Sequence, residues 1–185
     1  MPLLRERDTF MANKVVLFNK PFGVVCQFSG EKENLSNYIN IKNIYPAGRL
    51  DKDSEGLVVL TDDGKLQHQT SHPKFNKMKT YLVQVEGQIT SSAIDQLCKG
   101  VILNDGPTKP AKANKINEPK WLWRRDPPIR IRKNIPTSWF EIKLSEGRNR
   151  QVRRMSASVG FPTLRLIRTH IGEWSLGNLA QGEYK

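Results

Sequence analysis

Residues 48–64 read GRLDKDSEGLVVLTDDG. The first nine carry five charged residues between Gly48 and Gly56, the composition of a turn. The next five, LVVLT, are almost wholly apolar, as expected of a strand covered on both faces. Asp62-Asp63-Gly64 then forces a second turn, because glycine tolerates positive φ. A turn that feeds a buried strand and is followed by another turn sets the grammar of the chain: strands ordered by turns.

Outward from this stretch, the pattern repeats. Residues 15–19 (VVLFN) predict a strand broken by Pro21 and Gly23, and residues 24–28 predict a second one. Residues 35–39 suggest a short helix. Residues 80–86 (TYLVQVE) alternate and stop at Gly87, a half-buried strand. Thr90 suits the N-cap of a helix carrying Ile94, Leu97 and Cys98 on one face, with Gly100 at its end. Residues 101–103 and 138–144 predict further strands. Residues 149–159 predict a helix with the stripe Val152, Met155 and Val159, stopped by Gly160 and Pro162. A strand at 163–168 follows. Two clear helices among many strands, without strict alternation, predict an α+β fold with a mostly antiparallel sheet.

The chain has 185 residues, room for one sizeable domain or two subdomains sharing a core. No run approaches the ~18 apolar residues of a membrane span. The start, MPLLRERDTFMANK, lacks the apolar stretch of a secretory signal. Residues 1–13 are therefore expected to form a flexible tail ahead of a domain at 14–185. Cys26 and Cys98 stand far apart, no disulfide framework, which suits a cytoplasmic protein.

Charge gives the first functional clue. Thirty Lys and Arg face eighteen Asp and Glu, a net +12. The surplus is concentrated: residues 112–133 hold eight basic and two acidic side chains, and residues 143–154 hold five basic and one acidic. Basic clusters interleaved with aromatics point to nucleic acid. The segment 118–136 contains Pro119, Pro127, Pro128 and Pro136 and reads as a loop.

Several chemistries lack their machinery. There is no glycine-rich phosphate loop ending in Lys-Ser or Lys-Thr. His68 and His72 are four apart but lack a third zinc ligand nearby, so two solvated histidines fit better. Asp51, Asp53 and Glu55 mimic half of a calcium loop, yet its helices are missing and Asp62 stands where a Glu is needed. What remains is an acidic turn beside Arg49 and Lys52. Neighbouring cations favour an ionised carboxylate there, fit for a nucleophile or base; a turn residue capping backbone amides fits equally well.

The segment GRLDKDSEGLVVLTDDG resembles the catalytic motif of the RsuA-type pseudouridine synthases. Other segments agree in order: Asn19-Lys20-Pro21-Phe22-Gly23, Lys79-Thr80-Tyr81-Leu82-Val83, EGRNRQVRRM at 146–155, and Leu166-Ile167-Arg168 followed by Ile171-Gly172. The DSEG variant and the segment WLWRRDPPIRIRKNIPTSWF resemble a branch acting on large-subunit (23S) ribosomal RNA. Many relatives carry an N-terminal S4 RNA-binding domain, which the short leading segment is not expected to supply. Many also carry His where this chain has Arg150.

The resemblance implies a pseudouridine synthase fold: a bent, mainly antiparallel sheet in two subdomains with a central cleft. It implies a uridine isomerase needing no cofactor or metal, with ribosomal RNA as partner; no membrane association is expected from the lack of an apolar span, and a monomer is expected. By motif, Asp51 is the catalytic carboxylate, Tyr81 stacks on the extruded uracil and Arg153 pairs with Asp51. Lys20, Arg49, Lys79, Arg148, Arg150 and Arg154 are implied to hold RNA or support the site. The loop 121–133, with Trp121, Trp123, Arg124 and Arg125, is expected to provide RNA recognition that an S4 domain gives elsewhere, and to be removable without loss of the fold. Two alternatives are a synthase acting on small-subunit rRNA or tRNA, and a non-catalytic RNA-binding protein.

Overall fold

The strand at the heart of the quoted stretch becomes the seam of the protein. The structure, a computed structural model, describes residues 13–185. The tail expected at 1–13 lies outside this span except for Asn13, whose side-chain amide donates to Asp63. The strands are β1 (Val15–Lys20), β2 (Tyr45–Pro46), β3 (Glu55–Thr61), β4 (Lys79–Glu86), β5 (Ile102–Leu103), β6 (Gly106–Pro107), β7 (Lys112–Ile116), β8 (Thr137–Leu144), β9 (Thr163–Ile171) and β10 (Trp174–Ser175). The helices are α1 (Gly64–Ser71), α2 (Ser91–Lys99) and α3 (Gln151–Ser158).

One sheet runs in the order β1-β3-β9-β4-β8-β7, with β2 on β3 and β10 on β9, while β5 and β6 form a separate hairpin. Neighbours in the large sheet are antiparallel except β3 and β9. That parallel contact is brief: Glu55 faces Ile167 and Gly56 faces Arg168. It joins two halves, β1-β2-β3 and β9-β4-β8-β7. At the join Gly56 has φ of +106°, and a Cβ there would lie 2.2 Å from the Arg168 carbonyl oxygen. Only glycine lets the halves meet.

β3 is buried along its whole length. Val58 and Leu60 pack with Val16, Phe18, Leu35 and Ile44; Leu57 and Val59 pack with Leu82, Trp139 and Ile167. A third cluster sets α2 (Ala93, Ile94, Leu97) and α3 (Val152, Met155) against Val83, Val85, Phe140 and Ile142. Each such large side chain contributes roughly 1.5–3 kcal/mol on burial. The cap at Thr90, which accepts from the Ala93 amide at 3.1 Å, and the stop at Gly100 agree with the sequence.

Other elements differ. Residues 24–28 form no strand: their hydrogen bonds go to the loop that follows, Val25 N to Glu33 O and Leu35 N to Gln27 O, leaving only an isolated bridge. Residues 35–39 reduce to a single 3-10 turn, Leu35–Asn37. Asp62-Asp63-Gly64 opens a helix as well as a turn, because the Asp63 carboxylate caps the Lys65 amide at 2.9 Å. The last strand extends through Ile171, and Lys112–Ile116 forms an edge strand that its lysines disguise.

Candidate active site

The turn before β3 places Asp51 at the seam, where Ser54 N closes onto Asp51 O at 3.0 Å. Arg150 reaches this turn from the start of α3. Its Nη1 lies 3.2 Å from Asp51 Oδ2 and 3.0 Å from Asp53 Oδ1, and its Nη2 2.7 Å from Asp53 Oδ2. Arg150 takes a left-handed φ of 49° at the N-cap and makes no capping bond with its side chain. The Arg150 contact holds the Asp53 carboxyl below the usual carboxylate range.

Arg153 does not pair with Asp51. Its Nη2 donates to Asp53 O at 2.8 Å and Ser54 Oγ at 3.2 Å, and stands 3.6 Å from Asp53 Oδ1. Arg150 at the N-cap of α3 and Arg153 within it both approach Asp53 Oδ1, at 3.0 and 3.6 Å. The nearer, more exposed guanidinium takes the carboxylate of Asp51, and the buried one takes the backbone behind it. Burial lowers the Arg153 pKa, and its Nε has no partner among the described residues.

Beside this turn opens a cleft of about 460 Å³. Asp51, Arg49, Lys79, Tyr81, Arg148 and Arg150 line it, and so do Gln67, Thr70 and Ser71 of α1. The volume suits a small ligand or an extruded nucleoside. Lys79 and Tyr81 arrive from β4, where Tyr81 stands opposite Arg168 of β9. Burial, and then the neighbouring Arg168 charge, lowers the Lys79 pKa. Arg168 also lines the cleft and is almost wholly buried. It braces the turn by donating to Leu57 O at 2.9 Å and Arg49 O at 3.3 Å, and its Nη2 has no partner among the described residues.

Other expected RNA contacts are engaged inside the protein. Lys20 is wholly buried; its Nζ donates to Pro21 O and Val24 O, both at 2.8 Å, and to Lys52 O at 3.3 Å. It splints the turn and cannot reach a phosphate. Burial pulls its pKa down to about 8. Arg154 and Arg148 both grip Asp105 of the β5–β6 hairpin, the former at 2.7 Å. These guanidiniums hold the Asp105 carboxyl far below the usual range.

The tryptophan loop divides. Trp121 is 61% exposed and Arg124 is exposed. Trp123 is half-buried against Leu57 and Ile167, and its Nε1 donates to Glu55 at 2.8 Å. Arg125 stacks 4.1 Å above the Phe22 ring and donates to the Pro127, Pro128 and Leu164 carbonyls. Part of the loop is therefore core, and its removal would disturb the fold.

The residues that sequence reasoning missed come from long-range pairing. Asp53 and Ser54 lie in the quoted motif, but only α3 gives them a partner. Glu55 is fully buried and ion-paired to Arg165 at 2.8 Å, across 110 residues. The α1 residues were hidden with their helix. Among the described residues, no three His, Cys, Asp or Glu side chains gather to hold a metal ion, and no helix is long and apolar enough to cross a membrane.

The chain resembles known proteins along most of its length. The sequence pattern of the RNA pseudouridylate synthases matches residues 14–158. A Xanthomonas campestris protein named ribosomal large subunit pseudouridine synthase E is 52% identical over 92% of this chain and 94% of its own length. A Salmonella typhimurium protein named ribosomal small subunit pseudouridine synthase A is 35% identical over 91% of this chain and 68% of its own. A crystal structure of a pseudouridylate synthase superposes with a TM-score of 0.78 at 30% identity, covering 94% of this chain and 69% of the other.

Proposed function

The chain belongs to the RNA pseudouridylate synthase family, and from that premise we propose that it isomerises one uridine of large-subunit ribosomal RNA, with Asp51 as the catalytic carboxylate. The observation that carries this reading is the shared cleft: Asp51 and Tyr81 open onto one cavity rimmed by Arg49, Lys79 and Arg150. A carboxylate for the sugar, a ring for the base and cations for phosphate are what a uridine taken out of structured RNA requires.

The reaction breaks the bond from C1′ to uracil N1, turns the base and forms a bond from C1′ to C5; the C5 hydrogen leaves as a proton and N1 takes one up, so the product is an isomer of uridine. The Asp51 carboxylate acts at the ribose, as nucleophile on C1′ or as base on the 2′ hydrogen. Both routes need an ionised carboxylate in contact with the sugar. Tyr81 stacks on the extruded uracil, and a base–aromatic contact contributes roughly 1–3 kcal/mol. Arg153 keeps the turn in place through Asp53 O and Ser54 Oγ. Arg49 fills the vacated stack or holds the flanking phosphate.

The large-subunit substrate is supported by the greater likeness to the relative named for the large subunit than to the one named for the small subunit. The test is a pseudouridine map of ribosomal and transfer RNA from a strain lacking the gene. One uridine of 23S rRNA should lose its modification and regain it when the gene is restored. Loss in 16S rRNA or tRNA instead would overturn the substrate assignment.

A further inference from the structure

The stretch from Gly64 to Lys79 contains four lysines and two histidines and no Asp or Glu. Residues 71–76 are all exposed. None of the four lysines takes part in an ion pair among the described residues. Lys79 lines the cleft and Lys77 stands over the Trp174 ring at 5.8 Å, and positive charge without an anionic partner attracts an anion from outside.

The ridge also carries rings. His68 and His72 stand 4.7 Å apart, and Phe75 packs edge-on to both, at 5.7 and 6.4 Å. Phe75 stays 38% exposed and Met78 43%. Lys74 lies over the Phe75 ring at 5.0 Å. One face of α1 sends Gln67 and Ser71 into the cleft; the adjacent face carries His68, and His72 follows at the C-cap. The ridge is therefore continuous with the cleft wall.

The geometry points to a second RNA contact here: the strand leaving the cleft lays its phosphates along Lys65, Lys74 and Lys77 and stacks a flanking base on Phe75. This rests on the reading that the cleft receives an RNA uridine. The histidines, four apart as zinc ligands could be, serve as part of the stacking platform. Aromatic stacking beside a basic track tolerates sequence and tracks a single strand.

The test is filter binding of transcribed 23S rRNA to the full chain over a range of salt, with pseudouridine formation followed in parallel. The triple variant Lys65→Gln, Lys74→Gln, Lys77→Gln should bind about tenfold more weakly or worse, and its log–log salt slope should shrink by about 2. Phe75→Ala should weaken binding about fivefold or more. Ultraviolet crosslinking of the wild type, which needs no variant to fold, should place rRNA on residues 72–78, which lie outside the cleft lining. Wild type that binds and modifies rRNA while both variants stay within twofold, or that gives no crosslink in 72–78, overturns the ridge and leaves the proposed function standing. Wild type that neither binds nor modifies rRNA overturns both.

Discussion

Arg150 bridges two carboxylates, with Nη1 3.2 Å from Asp51 Oδ2 and Nη2 2.7 Å from Asp53 Oδ2. The pair is substantially exposed, so its effect on stability is small, on the order of 1 kcal/mol or less. Arg153 lies behind the same turn and is mostly buried. Removing it strands the Asp53 carbonyl and the Ser54 hydroxyl. Arg150→Ala should leave the urea midpoint nearly unchanged, whereas Arg153→Ala should cost about 1–3 kcal/mol. The Asp53 pKa is depressed in the fold chiefly by Arg150. Its stability contribution is present above the unfolded carboxylate range and is lost as pH falls through the folded value. Arg150→Ala should therefore flatten the acid limb of a stability–pH curve.

Glu55 and Arg165 form a buried pair that also holds the Trp123 ring. Breaking one side leaves a charge without its partner. Glu55→Gln or Arg165→Met alone should cost about 3–5 kcal/mol in urea unfolding. The double variant should cost clearly less than the sum. Additive costs would show that the two side chains act separately.

The two tryptophans of the loop should behave differently. Trp123→Phe loses the bond to Glu55 and should destabilise by about 1–3 kcal/mol. Trp121→Ala touches an exposed ring, so its thermal midpoint should stay near that of wild type. It should instead weaken binding to rRNA by about fivefold or more in the same filter assay.

Lys20 is a buried amine whose pKa falls from 10.5 to about 8, first because of burial. Between these values the unfolded chain binds more protons than the folded one, so stability rises with pH across that window. The gain amounts to about 3 kcal/mol at most. Lys20→Met should abolish that rise in urea titrations between about pH 8 and 10.5. A variant with the same slope as wild type would contradict the assigned shift.

Much of this architecture was legible. The turn at 48–56, the buried LVVLT strand and the Thr90 and Gly100 helix signals are local features, set by neighbours in sequence. α1 escaped because GKLQHQTS shows little apolar stripe and starts on glycine; the Asp63 cap and the packing beside the cleft make it a helix. Residues 24–28 look like a strand by composition, but the outer edge of β1, the strand they follow, is taken by residues 182–185. The motif marked Asp51, Tyr81 and Arg150, and all three line one cleft. It did not show that Lys20 is sealed in the core, that Arg148 and Arg154 share Asp105, or that Arg153 serves Asp53. Those depend on which element lands beside which, and a charge in sequence carries no mark of whether it ends in water or against a carbonyl.

If Asp51 performs the chemistry on a uridine of rRNA, its neutral amide isostere must stop the isomerisation. Tritium at C5 is released to water when the C1′–C5 bond forms and the hydrogen leaves. Wild-type protein should release label from 23S rRNA carrying 5-tritiated uridine, and Asp51→Asn, with a circular dichroism spectrum like wild type, should release none above background. Equal release by the two proteins would contradict the account.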